Sequence, residues 1–166
     1  MSVNKFAPHV LALPEDDANS QIANGFQLGL SPQKIRKLQI LPEAGGWIRV
    51  RDLFLDEHVR DLERYPERHM VLLIDMDGRN DRVAEVMARV PSQLSSRVFV
   101  LGARTTPEEL RIQVASTFES IGQALAQDCS RNTVDTWGHP LLRHNIEELT
   151  RMRATVFPIL FGEASS

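Results

Sequence analysis

The chain has 166 residues with a formal net charge of −3, 42% hydrophobic and 25% charged side chains, a balance that fits one soluble globular domain with its own core. The net acidity excludes a protein that coats nucleic acid by bulk electrostatics, and leaves room for an enzyme that grips phosphates locally through a metal ion. The single cysteine, Cys129, excludes an internal disulfide and a cysteine-built zinc site, and no apolar run approaches the roughly 18 residues of a membrane span.

HVLALPE (9–15) is a short apolar run closed by an acid, and the following DDANSQIANGFQLGL has Ile22, Phe26 and Leu30 at helical spacing. KLQILPE (37–43) is a second short run, closed by Ala44-Gly45-Gly46. Residues 48–65 place Val50, Leu53, Phe54 and Leu62 near one helical face. MVLLIDMD (70–77) is the most apolar strand candidate, RNDRVAEVMARV (79–90) reads as a helix, and RVFVLG (97–102) as a fourth strand. Thr106-Pro107-Glu108-Glu109 then opens a long helix with a Thr cap, an early proline and a glutamate three residues after the cap. Leu110, Val114, Phe118, Ile121 and Leu125 are expected as its apolar stripe. A further helix is expected over 140–154, with VFPILF as a short strand or a packed tail.

Alternating strands and helices predict an α/β fold: a mostly parallel sheet of four or slightly more strands, flanked by helices and Rossmann-like, in one domain over 1–166. A core over 8–115 is expected to carry a helical extension over 116–166. Right-handed crossovers gather the strand C-termini along one edge, where such sheets keep their sites. Three of the four strands end there in something chemical: Glu15, the turn from Glu43 to Gly46, and Asp75 with Asp77. Carboxylates gathered at one edge raise one another's pKa, and a divalent hard cation relieves that cost.

A strand ending in Glu15, a glycine turn after the next strand and an apolar strand ending in Asp75-x-Asp77 together resemble the topoisomerase–primase (TOPRIM) domain. The version in the overcome-lysogenization-defect (OLD) nucleases is the nearer likeness, over about residues 8–115. Its Glu-Gly-x-x-Asp corresponds here to Glu15-Asp16-Asp17-Ala18-Asn19, so Asp16 stands at the usual glycine and Asn19 at the usual acid. The resemblance implies a Mg²⁺ (or Mn²⁺) dependent nuclease or phosphodiester-transfer enzyme acting on nucleic acid, DNA before RNA. Glu15 would be a metal ligand or general acid/base, Asp75 and Asp77 metal ligands, and Glu108 or Glu109 the source of a second site. Arg79, Arg82 and Arg104, just past strand ends, are candidate phosphate donors, and Gly45 and Gly46 would allow close backbone approach.

Each residue also has a plainer role. Asp-Gly at 77–78 suits a turn, Glu109 completes a capping box, Glu43 is a solvated edge acid, and Cys129 is a small buried hydrophobe. His139, His144 and Asn145 are read as packing or contact residues and Trp137 as a core anchor. Aromatics at 6% argue against a surface that stacks single-stranded bases.

Two other functions compete. One is a binding or regulatory module on a degenerate TOPRIM scaffold, with Leu141, Leu142, Ile146, Leu149 and Met152 as a docking face. The other is a haloacid-dehalogenase-type phosphatase, whose nucleophile loop is also an apolar strand followed by Asp-x-Asp-Gly; here Arg79 and Asn80 follow. No Gly-x-x-x-x-Gly-Lys-Ser/Thr loop is present, so the OLD likeness would require an ATPase on a separate chain. A cytoplasmic setting is expected, with homo-oligomerisation open.

Overall fold

The computed structural model describes residues 2–162. Four strands, β1 (His9–Pro14), β2 (Leu38–Ile40), β3 (Arg68–Leu73) and β4 (Val98–Leu101), form one sheet in the order β2-β1-β3-β4, every pair parallel. β1 and β3 are central and largely buried on both faces, which is why they read as apolar runs once past His9 and Arg68-His69. Pro14 lies opposite Leu73, and Leu73 opposite Leu101, so the three long strands end level with one another.

Period 2 sorts the strand residues between two cores. Val10, Ala12, Val71, Phe99 and Leu101 face α1 (Asp17–Leu28), α5 (Pro107–Val114), α6 (Phe118–Arg131), α7 (Ile146–Arg153) and α8 (Val156–Phe161). Leu11, Leu13, Met70, Leu72 and Val100 face α2 (Trp47–Leu53), α3 (Val59–Arg64) and α4 (Arg82–Met87). No described helix is long and apolar enough to cross a membrane.

The stretch over 48–65 is helical throughout, with one wide π turn at Phe54–His58 joining α2 to α3. In an unbroken α-helix Phe54 and Leu62, eight residues apart, would point about 80° apart. The wide turn removes that offset, and both side chains are fully buried in one core.

Several expectations need correction. The long helix after Thr106 is two helices: Ala115 takes a left-handed backbone (φ 51°), and the Thr117 hydroxyl accepts the Ser120 N–H at 3.1 Å to start α6 afresh. VFPILF is helix α8, not a strand. Pro158 is its third residue, where no intrahelical partner exists for an N–H. The third strand ends at Leu73 rather than 77, although its chain keeps bonding the segment after β4, Ile74 N–H to Leu101 O at 2.9 Å and Met76 N–H to Ala103 O at 3.0 Å. Leu141, Leu142, Leu149 and Met152 are buried in the core and Ile146 is half-buried, so the five offer no docking face.

The helical layer is pinned where α1 crosses α6. A Cβ on Gly25 would lie 2.0 Å from Glu119 O, and one on Gly122 2.0 Å from Ile22 O. The two backbones therefore touch with no side chain between them. Gly25→Ala or Gly122→Ala is expected to cost about 1–3 kcal/mol through forced separation of the helices. Gly→Ala inside an unobstructed helix instead gains about 1 kcal/mol, so urea unfolding reads the contact from the sign alone.

Candidate acidic metal centre

β1 runs through Pro14 into Glu15, whose N–H donates to Leu73 O at 2.9 Å, extending the β1–β3 ladder past the strand ends. That register sets Glu15 beside the segment leaving β3, and its Oε2 accepts the Asp75 backbone N–H at 2.7 Å. The second strand's turn closes on the same residue: Gly45 N–H and Gly46 N–H both donate to Glu15 O, at 2.8 and 3.1 Å. Both glycines have positive φ, 92° and 128°, a backbone that side-chain-bearing residues avoid.

Asp16 is the N-cap of α1, its Oδ1 accepting Asn19 N–H at 3.0 Å. The Asn19 side-chain amide donates to Asp16 Oδ1 at 2.9 Å and to Asp75 Oδ1 at 2.8 Å. Glu15, Asp16 and Asp75 each bring one carboxylate oxygen within 4.8 Å of the others. Glu15 and Asp75 are 9% and 6% exposed, so the cluster is sunk into the rim rather than spread over it.

Burial raises the Asp75 pKa to about 7, against the opposing Asn19 hydrogen bond, and the nearby Glu15, Asp16 and Glu108 carboxylates raise it further. Burial also raises Glu15; the Asp75 N–H opposes this, Asp16 and Asp77 add to it, and the Arg82 guanidinium offsets part of it. Three hard oxygen donors in a partly closed, electrostatically strained group form a set that suits a divalent cation.

Asp77 stands apart from the trio. It sits at φ 49° next to Gly78 at 75°, a left-handed pair that reverses the chain. Its carboxylate accepts from Arg82 Nη1 at 2.5 Å, and the same nitrogen donates to Asp75 O at 2.8 Å. Arg82 is 4% exposed and its guanidinium lies 4.4 Å from the centre of the Trp47 ring, a cation–π arrangement. It therefore braces the loop carrying both aspartates from within, and does not extend into solvent as a phosphate donor would. Arg79 is exposed and bonded to Asp81 at 2.9 and 3.0 Å. Arg104 is exposed, its backbone N–H held by Leu141 O at 2.8 Å.

Glu108 and Glu109 lie exposed in the first turn of α5. Glu109 is bonded to Thr105 Oγ1 and Gln113 Nε2, and Glu108 reaches the trio only through its field on Asp75. Sequence alone assigns Asp16, Asn19 and Trp47 no role in the site. Asp16 and Asn19 were legible as an Asp-x-x-Asn cap at the end of the first strand. Trp47 follows Gly45-Gly46 with no local mark of its partner, because Arg82 reaches it only through the fold. Asn145 pins the other side of the rim, exchanging both amide bonds with Gly102 (3.1 and 2.9 Å) just beyond β4.

The unfolded Asp75 carboxyl loses its proton near 3.8 and the folded one near 7. The native state therefore holds the extra proton between these values, and stability without metal falls as pH rises through that window. Asp75→Asn in chelator is expected to exceed the native chain in stability by about 2–4 kcal/mol near pH 8, the gap closing below about pH 4, as urea titrations at both pH values would register. Comparison with protein-family models, with curated proteins and with solved structures yields no match, so the chemistry open to this site rests on its carboxylates, amide and guanidinium.

Proposed function

We propose that the chain is a metal-dependent phosphodiesterase of TOPRIM type that cleaves nucleic acid, DNA in preference to RNA. One observation carries this reading: Glu15, Asp16 and Asp75, from two segments sixty residues apart in sequence, bring carboxylate oxygens within 4.8 Å at the strand C-termini. The donor set is all oxygen and fits Mg²⁺, with Mn²⁺ as its substitute. When bound, such an ion activates water and neutralises the charge that builds on a phosphodiester as it breaks.

In this reading Asp16 takes the ligand position that the motif alone would give to Asp77. Glu15 has two tasks: its backbone carbonyl anchors the Gly45-Gly46 turn and its carboxylate is held toward the ion by the Asp75 N–H. Arg82 holds the Asp75–Asp77 loop in shape. Arg79 and Arg104 remain exposed cations near the rim for phosphate contact, and Glu108 would be a candidate donor to a second ion. An ATPase on a separate chain would fit the same reading.

A second reading, a scaffold that binds without cleaving, is favoured by Asn19. Its amide already satisfies Asp16 and Asp75 and does so without an ion. Mn²⁺ titration followed by cleavage of plasmid and single-stranded DNA separates the two. Catalysis predicts saturable Mn²⁺ binding and metal-dependent cleavage that falls to background in Glu15→Gln and in Asp75→Asn, both remaining folded. Binding without cleavage selects the scaffold, and cleavage unchanged in both variants removes the assignment.

A further inference from the structure

We infer that the sheet face toward α1, α6, α7 and α8 holds a binding site for a small uncharged apolar molecule, an alkyl chain segment or a single aromatic ring. The two faces of the sheet are filled differently. Between β1, β3 and β4 and the helices of the first face lies a cavity of about 100 Å³. Liquid water takes about 30 Å³ per molecule and needs two or more polar partners, and apolar cavities of this order stay dry yet accept benzene.

Small residues make the space. Ala12 lies on β1 where its neighbour across the ladder is Val71, and Ala23 and Ala103 close other parts of the wall. Loose helix packing does not explain it, because α1 and α6 touch backbone to backbone at Gly25 and Gly122. Ile22, Phe26, Phe157 and Phe161 line the cavity and are only partly buried, so they give the side from which a ligand enters. Phe161 sits edge-on to both Phe26 and Phe157, at centroid distances of 5.8 and 5.6 Å.

The polar groups in the wall select against charge. No charged side chain lines the cavity among the described residues. Trp137 Nε1–H is spent on Leu125 O, and Asn145 on Gly102 and Leu142. Burial keeps the Cys129 thiol protonated, its pKa pushed to about 12. A carboxylate or ammonium would enter unpaired, at a cost that an apolar group does not meet. Asn19, which bonds Asp75, also lines the cavity, so the site ends one side chain away from the acidic cluster. The inference does not depend on nuclease activity.

The test uses the full chain with benzene and benzoate as probes. Methyl NMR is expected to show saturable benzene-induced shifts at Val71, Leu101, Leu125 and Leu160, and none with benzoate. Tenfold excess of benzene over its Kd raises the folding constant about elevenfold. Ala12→Leu, which fills the space from the sheet side, is expected to lose both responses, and Asn24→Leu on the exposed side of α1 to keep them. Should Ala12→Leu fail to fold, the native titration decides. Absence of saturable shifts in the native chain overturns the site. Equal binding of benzoate, or an unchanged response in a folded Ala12→Leu, does the same.

Discussion

The hydrogen bond from the Asp75 N–H to the Glu15 carboxylate fixes where negative charge collects in this fold. It follows from strand register: Pro14 faces Leu73, so the residues one and two places further on meet just beyond the last ladder rung. After a polar start at His9 and at Arg68-His69 both central strands run apolar, and the next polar residues they reach are acids. A shift of β1 by one residue would turn Leu11 and Leu13 to the other face and break both cores. The same hydrophobic sorting that sets the sheet therefore drives Glu15 and Asp75 together, and their mutual repulsion is a consequence the rest of the rim has to meet.

The rim meets it with neutral donors and one buried cation. Asn19 places an amide between Asp16 and Asp75, the Gly45-Gly46 turn directs two N–H groups onto the Glu15 carbonyl, and Arg82 lies under the loop against Trp47. Of these, only Arg82 carries charge, and its short bond goes to Asp77 and to a backbone carbonyl. No cation pairs with the trio's carboxylates among the described residues, and burial first, then like charge, pushes Asp75 to about 7. Donors that orient carboxylates without neutralising them leave the site receptive to a cation, whichever chemistry follows.

The parts of the fold legible in the sequence were those set by local period. The four apolar runs became the four parallel strands, and the end of the first was read at Glu15 because a proline and an acid stop it together. Helix boundaries governed by single backbone states were hidden: Ala115 in the left-handed region has no glycine to announce it, and the apolar stripe from Leu110 to Leu125 runs across the break with its spacing intact. At the rim, Asp75-x-Asp77 suggested a pair on one strand face, but the strand stops at Leu73 and the two acids part at the Asp77-Gly78 reversal. Asp16 instead joins Glu15 and Asp75 because it caps α1, and α1 is held by its crossing with α6. The cap itself is marked by Asp-x-x-Asn, but the crossing that places it depends on Gly25 and Gly122, which lie well beyond residue 16.

That crossing also links the two halves of the molecule. α1 starts at the acidic cluster, with Asp16 as its cap and Asn19 on Asp75, and then passes along the cavity wall through Ile22, Ala23 and Phe26, with Gly25 meeting Glu119. One rigid helix thus has its N-terminal turn in the polar rim and its next two turns in the apolar interior. Backbone contact fixes its middle at Gly25, and its first turn carries Asn19, which lines the cavity while its amide bonds Asp75. The buried carboxylate and the apolar cavity therefore share one side chain, the Asn19 amide that stands between them.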